Sequence, residues 1–264
     1  MSGSPTAGLT RLSIGSCTDV GAVRERNEDS ILVEPIDSPD ATARGWLGIV
    51  ADGLGGHRRG DLASQLAVQT TREVFYERSR ARDTGARLRL AVERANDVIR
   101  RKGDESASTA EMASTITAAV IEGTKLTVAQ VGDSRGYLIR NSRLRQVTHD
   151  HSLVDELVRN GGLTPEQAAH HPNRNVITRA LGTRATVEVD LFEEGLHDDD
   201  AVVLCSDGLY RCVEESEFAR ALISEPQPAA ESLVALANQR GAPDNVSVII
   251  VRVALVAAVD DLDL

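Results

Sequence analysis

The stretch Ile116-Thr117-Ala118-Ala119-Val120-Ile121-Glu122-Gly123-Thr124-Lys125-Leu126-Thr127-Val128-Ala129-Gln130-Val131 decides the fold. Two β-rich runs flank Glu122-Gly123-Thr124, whose glycine supplies a turn, so the segment reads as a hairpin. Similar short runs recur at 12–18, 30–35, 47–51, 137–140, 186–191, 201–206 and 247–253, with Asn141-Ser142 as a second turn. Between them lie two helical blocks. Leu62, Leu66, Thr70 and Val74 fall four apart, and Leu88, Val92, Ala95 and Ile99 nearly so. A third helix is expected over 229–240, with Leu233 and Leu236 inward and Gly241 past its end. Ser152 to Arg159 reads as helical and stops at Gly161-Gly162; Thr164-Pro165-Glu166-Gln167 then forms a capping box with proline at the first helical position. Strand clusters separated by a long helical pair, without regular βαβ alternation, predict an α+β fold of antiparallel sheets covered by helices.

The chain of 264 residues is long enough for a large core, and no repeat or proline-rich linker divides it. One domain is expected over 11–254, between a small polar N-terminus (residues 1–10) and an acidic tail (255–264). Aromatics are only 3%, so the core must come from Val, Leu, Ile and Ala, and base stacking on aromatic platforms is disfavoured. A formal charge of -11 repels polyanions and argues against nucleic acid as a partner. No apolar run approaches the roughly 20 residues of a spanning helix, and the N-terminus has no signal pattern, so no membrane is expected. Cys17, Cys205 and Cys212 have no metal-ligand spacing; Cys17 and Cys205 read as core fillers in a reducing cytoplasm.

The residues that carry chemistry are aspartates placed where apolar runs end beside glycine or a turn: Asp52-Gly53, Asp133 after Gly132, Asp207-Gly208, and Asp244-Asn245. A carboxylate at a strand end can point into a cleft, and an adjacent glycine lets a backbone carbonyl approach a cation. Hard cations such as Mg²⁺ and Mn²⁺ take such oxygen ligands. Asp-Gly is also ordinary turn chemistry, and spacing alone leaves both readings open.

The wording and order of the motifs decide between them. Gly21-Ala22-Val23-Arg24-Glu25-Arg26-Asn27-Glu28-Asp29-Ser30, Ala51-Asp52-Gly53-Leu54-Gly55-Gly56-His57, Val131-Gly132-Asp133-Ser134-Arg135-Gly136-Tyr137, Cys205-Ser206-Asp207-Gly208-Leu209 and Pro243-Asp244-Asn245-Val246-Ser247-Val248 resemble, in order, the signatures of the PPM (type 2C) metal-dependent serine/threonine protein phosphatases. His149-Asp150-His151-Ser152 and the stretch from Gly162 through Gly182 resemble the flap of bacterial members, and the likeness covers about residues 14–253.

The resemblance implies two stacked antiparallel sheets flanked by helix pairs, an αββα sandwich. It implies that Asp52, Asp207 and Asp244 hold one Mn²⁺ or Mg²⁺, and that Asp52, the Gly53 carbonyl and Glu28 (through water) hold a second. Asp133 with Asp207 matches a third, weaker site, and Arg24 matches the phosphate-binding arginine. The implied activity is hydrolysis of phosphoserine and phosphothreonine in proteins by metal-activated water, without a phosphoenzyme, by a bacterial monomer opposing a serine/threonine kinase. His57, the histidine nearest the cleft motifs, is a candidate general acid or a residue that only orients its neighbours. Several positions depart from the family pattern. Leu54 stands where methionine is frequent, and Ala113-Ser114-Thr115 replaces Gly-Thr-Thr. Arg211 lies in a stretch where many members carry an acidic residue, and Asn175 stands where some have serine. Two other functions compete: a two-metal hydrolase of nucleotides or small phosphoesters, and a catalytically inactive binding module, which would have no use for the metal ligands.

Overall fold

The computed structural model describes residues 9–54, 59–78, 81, 83–105 and 112–256. The strands β1 (Leu9–Asp19), β2 (Asp29–Val33) and β3 (Trp46–Leu54) come first, with a short α1 (Pro39–Arg44) before β3. The helices α2 (Gly60–Glu73) and α3 (Thr84–Asp104) follow, then β4 (Ala113–Ser114), β5 (Ile116–Glu122), β6 (Lys125–Val131), β7 (Arg135–Arg140) and β8 (Arg143–Gln146). Two small helices, α4 (Leu153–Arg159) and α5 (Pro165–Ala169), precede β9 (Asp190–Gly195). The last elements are β10 (Ala201–Cys205), α6 (Asp207–Tyr210), α7 (Glu215–Ala221), α8 (Pro226–Gln239) and β11 (Val246–Val256).

The strands form two antiparallel sheets, ordered β1-β11-β10-β7-β8 and β2-β3-β5-β6-β9, with β4 paired to the end of β3. Alternation along single strands builds the layers. Ile49 and Ala51 of β3 face α2 and α3, whereas Val50 between them faces the other sheet. In the same way Val248 and Ile250 of β11 pack against α8, and Ile249 and Val251 fill the space between sheets. Both faces of the central strands are therefore buried, which is why they read as continuous apolar runs rather than alternating ones. The expected αββα sandwich is what is observed.

The hairpins follow the turn residues. Glu122 pairs with Lys125 around Gly123 (φ 59°), and Arg140 pairs with Arg143 around Asn141 (φ 52°) and Ser142 (φ 60°). Both turns use the left-handed region that two-residue hairpins favour. Thr164 and Gln167 make the anticipated capping box, and Ser152 caps α4.

Four sequence readings need correction. The strand placed at 186–191 is Asp190–Gly195, pairing with β6 from Gln130↔Asp190 to Lys125↔Gly195; its edge position admits Glu193 and Glu194, which break the apolar signal. Of the face expected on α2, Leu66 packs on the core and Thr70 and Val74 are buried, but Leu62 is 36% exposed; the small Ala63 and Ala67 are fully buried instead and let the helix lie close to β3. Helix α8 starts three residues early, with Pro226 in its first turn. The domain's outer strands reach from Leu9 to Val256, slightly beyond 11–254, whereas residues 1–8 and most of the acidic tail lie outside the described residues. Among the described residues no helix is long and apolar enough to cross a membrane.

Candidate active site

One edge of the sandwich carries a cleft of about 530 Å³, lined by Arg24, Glu28, Asp52, Gly53, Asp133, Asn175, Ile177, Asp207, Arg211 and Asp244. Every candidate ligand from the sequence thus reaches the same place. His57 lies outside the described residues.

Asp52 does not end its strand as the sequence suggests. β3 runs on to Leu54 because Gly53 pairs with Ser114 and Leu54 with Ala113. Residues of the departing Ala113-Ser114-Thr115 segment pin Asp52 from behind: Thr115 Oγ1 accepts from its N–H at 3.0 Å, while Ser114 Oγ and Thr115 N–H donate to its carbonyl at 3.0 and 2.8 Å. Gly53 has a steric reason to be glycine, since a Cβ there would lie 2.1 Å from the Gly60 carbonyl oxygen. Asp133 follows Gly132 (φ 104°), whose N–H donates to His151 Nδ1 at 3.0 Å and whose carbonyl accepts from Gln130 and from the His151 N–H. Asp207 opens α6 straight after β10. Asp244 precedes β11, and its neighbour Asn245 ties that end to the first motif. Asn245 Nδ2 donates to the Val20 and Arg26 carbonyls, and its Oδ1 accepts from the Glu28 N–H at 2.8 Å.

The electrostatics are those of a crowded carboxylate site. Burial raises the pKa of Asp52 well above the usual range, and the charges of Asp29, Asp207, Asp133 and Asp244 add to it. Asp29, Asp133 and Asp207 are also raised, in each case first by desolvation; Arg211 opposes the shift at Asp133 and Asp207. Asp29 Oδ1, Asp133 Oδ1 and Asp207 Oδ1 are buried without a hydrogen-bond partner among the described residues. Such orphaned anionic oxygens are costly unless something positive meets them. Two arginines meet neighbouring carboxylate oxygens but none of these three. Arg24 Nη2 donates to Asp244 Oδ2 at 2.7 Å, and Arg211 Nη2 lies 3.1 Å from Asp207 Oδ2. Among the described residues no three His, Cys, Asp or Glu side chains already stand close enough together to hold a metal ion between them. The donor set is oxygen only, anionic, desolvated and under-satisfied, which suits a hard divalent cation.

Residues 25–241 match the family model for protein phosphatase 2C. The chain belongs to the protein phosphatase 2C family. Within it, the serine/threonine phosphatase Stp of Listeria welshimeri is 37% identical over 242 residues, covering 89% of this chain and 93% of that protein. The crystal structure of the Mycobacterium tuberculosis serine/threonine phosphatase PstP superposes with a TM-score of 0.82 at 35% identity, covering 93% of this chain and 100% of that one. A PstP catalytic domain in complex with two manganese ions gives a TM-score of 0.79 at 33% identity, over 93% of this chain and all of that one. These two solved structures share the sandwich fold with the present chain.

Three participants were not singled out from sequence. Asp29 is buried opposite Asp52 in the β2–β3 register and accepts from Ser206 Oγ at 2.7 Å. Its position inside Asn-Glu-Asp was visible, but nothing in that motif says which acid turns inward. Asn245 was the silent half of Asp-Asn. Arg211 was noted only as a departure from the family pattern, and its place between Asp133 and Asp207 depends on the short helix α6.

Proposed function

We propose that this chain removes phosphate from phosphoserine and phosphothreonine in proteins, using two divalent cations, Mn²⁺ or Mg²⁺. The observation that carries the proposal is the convergence of Asp52, Asp207 and Asp244 from both sheets on one cleft that leaves a buried Asp207 oxygen unsatisfied. Asp52, Asp207 and Asp244 would hold one cation; Asp52, the Gly53 carbonyl and, through water, Glu28 would hold the other. Cations so held lower the pKa of water toward neutrality and neutralise charge on the phosphoryl oxygens. The 2C family membership, the serine/threonine phosphatase relatives and the two-manganese PstP complex support this reading.

The chain's own residues do the positioning. Arg24 stands at the mouth of the cleft with its side chain 49% exposed, and its contact with Asp244 strengthens its already permanent charge. It can turn its planar fork from Asp244 to two phosphoryl oxygens and hold the ester for in-line attack. Asp29, seated on Ser206, fixes the floor under Asp52, and Ile177 contributes an apolar wall. Asn245 holds the loop bearing Arg24 and Glu28 against the segment bearing Asp244. The kinase whose products the enzyme reverses is a serine/threonine kinase. Turnover of a phosphothreonine peptide compared with that of nucleotides tests substrate class. A clear preference in kcat/KM for the peptide is expected, and a preference for nucleotides would refute it.

A further inference from the structure

Arg211 is the least expected occupant of the cleft. It stands four residues after Asp207, across the single turn of α6, in a stretch where an acidic residue is frequent in the family. Its Nη2 lies 3.1 Å from Asp207 Oδ2 and 3.4 Å from Asp133 Oδ2, while Nη1 donates to Asn175 Oδ1 on the segment between α5 and β9. One guanidinium therefore touches both carboxylates that the family resemblance assigns to a third cation, together with the flap residue beside them. A guanidinium presents five donors in one plane, enough to bridge three acceptors at once.

The group is built in. Its side chain is 26% exposed. The residue before it, Tyr210, is clamped: the Arg135 guanidinium stacks 3.6 Å from the Tyr210 ring centroid, and Arg135 is itself forked onto Asp150 at 2.7 and 3.0 Å. That stack fixes the backbone from which Arg211 projects. Arg211 uses the Oδ2 atoms of Asp133 and Asp207 and leaves both Oδ1 atoms without partners, so Asp207 keeps an oxygen for the cation it shares with Asp52 and Asp244. A divalent ion between Asp133 and Asp207 would have to displace a fixed positive charge that already contacts the Oδ2 atom of each.

We infer that Arg211 is the resident cation of the Asp133–Asp207 end of the cleft, taking the place of a third metal ion and linking that end to the flap through Asn175. This rests on the two-cation reading of Asp52, Asp207 and Asp244. Calorimetric titration of Mn²⁺ into the chelator-stripped full chain tests it without reference to turnover. The wild-type chain should bind about two ions, and Arg211→Lys about the same number. Arg211→Ala should gain a weaker third site, Arg211→Asp should tighten it, and adding Asp133→Asn to either should remove it. Asp133→Asn alone, with Arg211 intact, should leave the number of ions unchanged. Three ions on the wild-type chain, an unchanged count in Arg211→Ala, or the loss of an ion on Asp133→Asn alone would overturn the inference. Absence of Mn²⁺ binding by the wild-type chain would overturn the two-cation reading, and the inference with it.

Discussion

Asn245 and Glu28, separated by 217 positions, meet through a 2.8 Å hydrogen bond from the Glu28 N–H to Asn245 Oδ1. The same side chain donates to the carbonyls of Val20 and Arg26 at 2.9 and 2.8 Å, and Asn245 is buried. A single amide thus staples the first motif to the last, and it places Arg24 and Glu28 opposite Asp244.

Replacing that amide should loosen both fold and site. Asn245→Ala leaves three backbone groups without partners, each at a cost of roughly 1–3 kcal/mol before relaxation. A net loss of about 2 kcal/mol is expected in urea unfolding, together with weaker Mn²⁺ binding by calorimetry, because Asp244 and the Glu28 loop lose their common anchor. Wild-type stability with wild-type metal affinity would mean that the staple is incidental.

Arg24 should separate substrate binding from metal binding. Arg24→Ala removes charge-assisted hydrogen bonds to phosphate and also frees Asp244, its partner at 2.7 Å. KM for a phosphothreonine peptide should rise about tenfold or more, with some fall in kcat, while Mn²⁺ affinity holds or improves. Arg24→Lys should recover only part of the loss, since it keeps the charge without the fork. Loss of metal binding in Arg24→Ala would instead make Arg24 a structural partner of the acidic loop.

Away from the site, Glu217 and Arg240 join α7 to the end of α8 by paired contacts at 2.7 and 2.8 Å. The Arg240 hydrogen bonds, with help from the Glu214 N–H, bring the Glu217 pKa down from 4.5 to about 2. A carboxylate depressed in the folded state contributes stability that is present above its unfolded pKa and fades as pH falls toward the folded one. Glu217→Gln should therefore melt below the wild type at neutral pH. The two melting temperatures should converge as pH falls from 4.5 toward 2. A gap that stays constant over that range would show that the pair contributes nothing through its charge.

Much of this was legible in the residues. Gly123 and Asn141-Ser142 announced their hairpins because a two-residue turn demands left-handed backbone. Thr164 and Gln167 announced a helix start because their chemistry is local. The ordered aspartate motifs announced the acidic lining of the cleft, because each marks a place where the chain delivers a carboxylate to that edge. What escaped depends on tertiary neighbours. The edge strand Asp190–Gly195 carries Glu193 and Glu194 because one side is open to solvent, so no apolar pattern marks it. The inward face of α2 includes Ala63 and Ala67, which periodicity weighs below the exposed Leu62. Arg211 stood out only as a departure from the family pattern, and only the turn of α6 brings it between Asp133 and Asp207.

On the proposed function, the converging carboxylates of Asp52, Asp207 and Asp244 hold the divalent ions that make phosphoprotein hydrolysis possible. The most direct measurement is the initial rate of phosphothreonine-peptide hydrolysis by the EDTA-stripped chain as Mn²⁺ is returned, for the wild type and for Asp207→Asn. The wild type should be inactive in chelator and recover fully with Mn²⁺, while Asp207→Asn should stay down by ~10²-fold or more in kcat at any Mn²⁺ concentration, because the nucleophile depends on the ion that residue holds. Full activity in chelator, or wild-type turnover by Asp207→Asn, would contradict the account.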